Sequence, residues 1–326
     1  MHTTHPPLAF DTDAVLHFVI NGRSGRQHGD DTRQEIESAL QAAGRRGKLH
    51  VRDPADLIRT ASELAQQAKA THSAVVAVGG DGTINTVAQA AHNAGCAMGV
   101  IPRGTFNYFA RTHGIATEVP AAMAQLLKGR PEPVQVAAVN EQLFLVNASV
   151  GLYPDLLEDR EVWKNRYGRS RWVAFGAALA TLMRSQNRLT LQIGVGAEQR
   201  VVRTLTLFVG NNRLQLEQVG MVSGPRSIVV RDNGRVMAVV LKPIGSFALL
   251  RLLLRGALGT LGEADSIENF EFEKMVVKPP RMLGRRRIKM AFDGEVVHMK
   301  PPLAFSVMPT PLYLLKPPPE DREAPA

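Results

Sequence analysis

Residues 73–83 read Ser73-Ala74-Val75-Val76-Ala77-Val78-Gly79-Gly80-Asp81-Gly82-Thr83. The apolar run has no polar face, which predicts a strand buried on both sides. A glycine cluster closes it, and helical periodicity follows over Ile84–Ala94. Strand, glycine turn and helix in that order mark the functional edge of an open α/β sheet. Glycine lets the backbone turn tightly and approach a ligand. Exposed N–H groups at the start of a helix favour anionic oxygens. Asp81 would then stand beside an anion, an arrangement that needs Mg²⁺, lysine or arginine in between. From spacing alone, a tight turn capped by Asp81 accounts for the stretch equally well.

Working outward, Ala14–Ile20 is a second apolar run, followed by Asn21-Gly22-Arg23-Ser24-Gly25-Arg26. Helical patterns over Asp31–Ala43 and Asp56–Ala70 flank a short strand at Leu49–Val51. Cys96–Ile101 is another buried strand. It ends in Pro102-Arg103-Gly104-Thr105, with a short helix from Asn107. Alternating buried strands and helices predict a doubly wound parallel α/β domain over residues 14–134.

The pattern then changes. Gln135–Val139, Leu143–Val150, Arg188–Val195, Arg200–Val209, Ser227–Val230, Val236–Lys242, Glu268–Lys278 and Arg287–Phe292 all read as strands. Turn signals stand at Asn140-Glu141, Asp232-Asn233-Gly234 and Asp293-Gly294. Helical patterns at Ser170–Ser185 and Phe247–Leu261 interrupt them. A mainly antiparallel β domain is therefore expected over residues 135–302. The apolar stretch from Leu303 is expected to return to the first domain as one strand over 303–316. Residues 1–13 and 317–326 are expected to be disordered tails.

Composition narrows the function classes. The 326 residues include 39 Lys and Arg against 30 Asp and Glu, a formal net charge of +9 that favours anionic partners. A single cysteine, Cys96, excludes an internal disulfide and any Cys-rich zinc cluster. The histidines show no metal-ligand spacing. No targeting segment is expected, and the apolar stretches are too short or too interrupted by Arg251 and Arg255 to cross a bilayer. No lysine follows a glycine cluster as a Walker A loop requires, and Asn85 stands where a Rossmann fingerprint needs glycine. No Gly-x-Ser-x-Gly elbow is present. Four tyrosines and two tryptophans offer few stacking platforms, and nucleic acid is not an expected partner.

Four motifs in order resemble the catalytic domain of the diacylglycerol kinase superfamily, in particular the bacterial lipid kinases related to sphingosine and ceramide kinases. They are Asn21–Gly25, Gly79–Asn85 followed by Ile101–Asn107, Asn147–Gly151, and Phe292-Asp293-Gly294-Glu295. The resemblance runs roughly from Ala14 to Lys316. It implies an ATP- and Mg²⁺-dependent kinase acting on diacylglycerol or a related lipid, with its active site in an interdomain cleft. By position it assigns Asn21, Gly22, Arg23, Ser24, Gly25, Gly79, Gly80, Asp81, Gly82, Thr83, Ile84, Asn85 and Thr105 to the nucleotide. It assigns Asp81 to the Mg²⁺–phosphate network. Glu295 becomes the proton acceptor for the lipid hydroxyl, with Asp293 supporting it or sharing the role. Read from the residues alone, Asp293-Gly294 is a plain hairpin turn.

The chain departs from the family pattern at four places, one of them Arg103, which replaces a usual apolar residue. Gly22 replaces proline in the first loop, and Tyr108 stands where aspartate ordinarily follows Gly-Thr-x-Asn. Asp232-Asn233-Gly234 lacks the paired acids of the family's second-domain metal site. Basic clusters at Lys164–Arg171 and Arg281–Lys289, with Arg251 and Arg255 on one helical face, suit peripheral contact with an anionic membrane. The expected location is cytoplasmic, at or near the inner leaflet, and a homodimer is left open. Two alternatives remain: a soluble small-molecule kinase of the NAD kinase or phosphofructokinase kind, and an inactive nucleotide- or lipid-binding protein.

Overall fold

The computed structural model describes residues 6–22, 26–151, 154, 189–196, 198–211, 234–243, 267–279 and 287–322. The expected helices Ser170–Ser185 and Phe247–Leu261, the strand Ser227–Val230 and the loop positions Arg23, Ser24 and Gly25 lie outside the described residues. So do Asp232, Asn233 and most of the basic clusters. The chain divides into two compact units, Met1–Val136 with Met308–Ala326, and Ala137–Val307.

The first unit opens with β1 (Leu16–Asn21), α1 (Arg26–Ala42), β2 (Gly47–Arg52), α2 (Pro54–Ala70), β3 (Ala74–Gly79), α3 (Asp81–Ala94) and β4 (Ala97–Pro102). It continues through α4 (Tyr108–Thr112), α5 (Val119–Lys128) and β5 (Arg130–Val134). β2, β1, β3 and β4 lie parallel in that spatial order, and every residue of β3 and β4 is buried. Helices cover such a sheet with apolar stripes at helical spacing. On α1 the stripe includes Ile36 and Leu40, and on α2 it includes Leu57, Ala61, Leu64, Ala65 and Ala68.

Two elements here escape the sequence pattern. α5 is short and begins at Val119-Pro120, with Val119, Ala122, Met123 and Leu126 buried. β5 reads Arg-Pro-Glu-Pro-Val, a composition that argues against a strand. It is tolerated because β5 is the edge of the sheet, where prolines lacking N–H groups face no further strand.

The second unit contains β6 (Ala137–Val139), β7 (Gln142–Phe144), β8 (Asn147–Gly151), β9 (Leu189–Val195), β10 (Glu198–Thr204) and β11 (Thr206–Gly210). It also contains β12 (Val236–Leu241), β13 (Ile267–Phe272), β14 (Lys274–Lys278), β15 (Ile288–Phe292), β16 (Glu295–Met299) and β17 (Leu303–Val307). They form two six-stranded sheets, β10-β9-β14-β17-β6-β7 and β13-β12-β11-β8-β15-β16, with antiparallel pairing throughout. Alternate residues of both sheets meet in one core, including Val139, Phe144, Ile193, Val277 and Phe305 from one and Val150, Leu207, Val240, Met290 and Phe292 from the other.

Three stretches that read as single strands are each two. Leu143–Val150 divides between β7 and β8, Arg200–Val209 between β10 and β11, and Glu268–Lys278 between β13 and β14. In every case the two halves enter different sheets. Single residues, Leu205 and Glu273, make the last two changes of sheet. A corner that short leaves no turn signature.

The C-terminal expectation is corrected likewise. The stretch 303–316 is broken at 308–311. β17 stays in the second unit, and β18 (Leu312–Lys316) lies between β4 and β5 in the parallel sheet. Nor is the segment just beyond it a free tail. The buried Gln125 amide donates to the Asp321 carbonyl at 2.6 Å, and Lys128 pairs with Asp321 at 2.9 Å. Arg322 pairs with Glu132. At the other end, the Asp11 N–H donates to the His72 carbonyl, and the Pro6 carbonyl accepts from Tyr313 Oη.

Candidate active site

The glycine cluster does what its spacing requires. Gly80 is the extended N-cap of α3, and the Ile84 N–H donates to the Gly80 carbonyl at 3.0 Å. The helix starts at Asp81, three residues before the apolar pattern begins, because glycine and aspartate suit a cap and a first turn. Thr83 therefore sits in that turn, buried. A Cβ on Gly79 would come within 2.7 Å of the Thr83 side chain. Thr83 Oγ1 also accepts from Asn21 Nδ2 at 3.3 Å, so the end of β1 is tied to the start of α3. Gly22, next in the chain, is exposed and donates its N–H to the Arg52 carbonyl.

A second loop closes on the first. The Arg103 N–H donates to the Gly79 carbonyl at 2.8 Å. A Cβ on Gly104 would lie 3.0 Å from Gly80 Cα, so the two backbones touch. Asn107 holds this loop. Its Oδ1 accepts from the Gly104 N–H at 2.8 Å, and its Nδ2 donates to the Gly104 carbonyl at 3.0 Å. Asn107 has φ 50°, a left-handed conformation that asparagine tolerates better than most residues. The motif was legible in sequence, but this locking role was not. Thr105 and Phe106 are exposed, and Phe106 stacks on Tyr108 with ring centroids 5.4 Å apart.

Asp81 occupies the meeting point of these loops. Its carboxylate accepts the backbone N–H groups of Asn107 and Tyr108, the N-cap and first residue of α4, while Oδ1 is buried without a hydrogen-bond partner. Burial pushes the Asp81 carboxyl above its ordinary value, with the backbone donors opposing that shift in part. An unpaired buried carboxylate oxygen at the start of a helix fits a cation shared with phosphate oxygens. Among the described residues no group of three or more His, Cys, Asp or Glu side chains is placed to hold a metal. Kinases bind Mg²⁺ with few carboxylates and the substrate phosphates, so the donor set suits that mode rather than a closed protein cage.

Asp293 and Glu295 belong to the second unit. Asp293 (φ 46°) and Gly294 (φ 87°) form the two-residue turn between β15 and β16. Both angles are positive, as a type I′ hairpin needs. Glu295 pairs with Phe292 across the turn and is exposed. Asp293 is buried. Its Oδ2 accepts from the Leu145 N–H at 2.7 Å, and its Oδ1 accepts from Val146 at 2.8 Å and Asn147 at 3.1 Å. The Asp293 N–H donates in turn to the Asn147 carbonyl at 2.9 Å. Of the two roles expected for it, this geometry suits support.

Paired glycine loops at the carboxyl edge of a parallel sheet stand where open α/β domains receive their ligands, and in this chain an antiparallel β unit follows. Residues 15–139 match the family model described as the diacylglycerol kinase catalytic domain. Over that segment the chain is similar to the diacylglycerol kinase catalytic-domain superfamily. A Klebsiella pneumoniae protein named "Probable lipid kinase YegS-like" is 37% identical over 139 residues, which is 41% of this chain and 44% of that protein. A Pseudomonas aeruginosa protein of the same name is 38% identical over 144 residues, 43% of this chain and 45% of its own. The chain thus spans less than half the length of these curated relatives in the matched region. The fold extends further. A crystal structure of a diacylglycerol kinase from Bacillus anthracis superposes with a TM-score of 0.70 at 20% identity, covering 94% of this chain and 98% of that one.

Proposed function

We propose that the protein transfers the γ-phosphate of ATP to a hydroxyl group of diacylglycerol or a related lipid. The observation that carries this reading is Asp81, an unpaired buried carboxylate oxygen set among the glycine loops of a lipid-kinase-type domain. The N–H groups at the start of α3, with Asn21 and Thr83 fixed behind them, support placement of a polyphosphate there. Gly79, Gly80, Gly82, Ile84, Asn85 and Thr105 complete the nucleotide side in this reading. Mg²⁺ held by Asp81 and phosphate oxygens would neutralise charge as it develops on the transferring group.

On the acceptor side, Glu295 takes the proton as the lipid oxygen attacks phosphorus, and Asp293 supports the turn that carries it. The new bond is alcohol oxygen to phosphorus; the bond broken joins the γ-phosphorus to its bridging oxygen, and ADP departs. Among the described residues no helix is long and apolar enough to cross a membrane. The net charge of +9 supports peripheral contact with an anionic leaflet on the cytoplasmic side.

The test is incubation of the protein with Mg-ATP and separate acceptors. Phosphorylation of diacylglycerol or another lipid alcohol is expected. Phosphorylation of NAD or a sugar phosphate, with no lipid labelled, would replace this reading with that of a soluble kinase.

A further inference from the structure

The hydrogen bonds of Asp293 do more than shape a hairpin turn. Both of its carboxylate oxygens are taken by backbone donors of residues 145–147. Two of these residues are also gripped by Asn211. Its Nδ2 donates to the Leu145 carbonyl at 3.1 Å, and its N–H donates to the Val146 carbonyl at 2.9 Å. Two buried side chains thus clamp the entry to β8 from two other segments of the unit.

Ala148 and Val150 of β8 face the core between the sheets, so Asn147 and Ser149 share the opposite face. On that face Asn147 Oδ1 and Ser149 Oγ are both buried without a hydrogen-bond partner. Buried polar atoms are normally satisfied, and two neighbours left unpaired on a clamped strand are free to take a hydrogen bond from a ligand. The surroundings define its chemistry. Phe208 lies directly across from Ser149 on β11, in a cluster with Met237, Val239 and Ile267. A polar pair beside an apolar cluster matches a hydroxyl attached to an acyl body.

We infer that Asn147 and Ser149 form the subsite that recognises the hydroxyl of the acceptor lipid, and that Asp293 is the positioning residue that holds it. This inference rests on the lipid kinase reading and names the acceptor-binding groups within it. Asn147 Oδ1 and Ser149 Oγ accept or relay a hydrogen bond to the alcohol. Asp293 acts through the backbone of residues 145–147 and not on the reacting atoms.

The experiment compares equilibrium binding of 1,2-dioctanoylglycerol and its 3-deoxy analogue to the full chain. A site built around a hydroxyl discriminates against the analogue that lacks it. The wild type is expected to prefer the alcohol by about tenfold, the effect of one net hydrogen bond. Asn147→Ala is expected to abolish that preference. It leaves the Asp293 clamp intact, because the donors to Asp293 are backbone groups. Asp293→Asn is expected to lose the same preference and to keep the pH profile of transfer in place. The double variant should lose nothing further. If Asp293→Asn does not fold, the Asn147→Ala comparison decides alone. Undiminished preference in Asn147→Ala, or a displaced pH profile in Asp293→Asn, would overturn the inference. Equal binding of both lipids by the wild type would overturn it and spare the lipid kinase reading, whereas binding of neither would take both down.

Discussion

Gly104 packs on Gly80 so closely that a Cβ at Gly104 would lie 3.0 Å from Gly80 Cα and 2.8 Å from Asn107 Oδ1. The first neighbour is backbone, and the second belongs to a side chain that makes two hydrogen bonds with Gly104 itself. Neither yields cheaply. Gly104→Ala should therefore cost stability of about 1–3 kcal/mol, the usual range for overpacking. It should also weaken nucleotide binding. Chemical denaturation and titration with an ATP analogue check the two effects, and an unchanged midpoint would show that the loops are not in contact.

Thr83 links the end of β1 to the start of α3 through the bond from Asn21. Thr83→Val keeps the shape and removes the acceptor. The expected result is roughly a three- to tenfold loss in nucleotide affinity, the value of one net hydrogen bond. The fold should be retained, as circular dichroism would show.

Asp81 is stabilised in its neutral form by burial, so its carboxyl titrates above the ordinary value. The unfolded chain loses that proton first as pH rises. Without ligand, the native state should lose stability as pH climbs from the ordinary carboxylate range through the raised value. Asp81→Asn removes this cost. The unliganded variant should melt above wild type at neutral pH and show no advantage at strongly acid pH. Mg-nucleotide should reverse the neutral-pH order by stabilising the wild type more.

His17 and His50 make an opposite dependence. They lie on β1 and β2 with ring centroids 6.3 Å apart, and His17 Nδ1 and His50 Nε2 are buried without partners. Burial lowers both from the ordinary histidine value. His50 and Lys48 reinforce the shift for His17, and Arg52 and Lys48 do so for His50. His113, edge-on to Phe109, is lowered further by burial with Lys316 and Arg322 nearby. In each case the unfolded chain takes up a proton before the native state does. Melting temperature should be level above the ordinary histidine value and fall as pH drops below it. A His17→Gln/His50→Gln variant should show a shallower acid limb in a pH series of thermal melts.

Much of this architecture was legible in the chain because its signals are local. Val75–Val78 reads as a buried strand, and the glycine cluster ends it where α3 begins. The Asp293-Gly294 turn was equally plain. What escaped notice depends on partners distant in sequence. Leu205 and Glu273 change sheets without a turn residue. Pro131 and Pro133 suit a strand only because β5 is an edge. Gln125 fixes the Asp321 carbonyl across the fold. The grip of Asp293 on residues 145–147 joins positions about 150 apart, and no local pattern announces it.

The proposed reaction is phosphoryl transfer to a lipid alcohol, with Asp81 on the donor side and Glu295 receiving the proton. The direct measurement is incorporation of label from γ-labelled ATP into diacylglycerol by wild type, Asp81→Asn and Glu295→Gln. A labelled phospholipid from wild type, with a loss of at least about a hundredfold in each variant, is the predicted result. Transfer at the wild-type rate by either variant, or no labelled lipid from any protein, would contradict it.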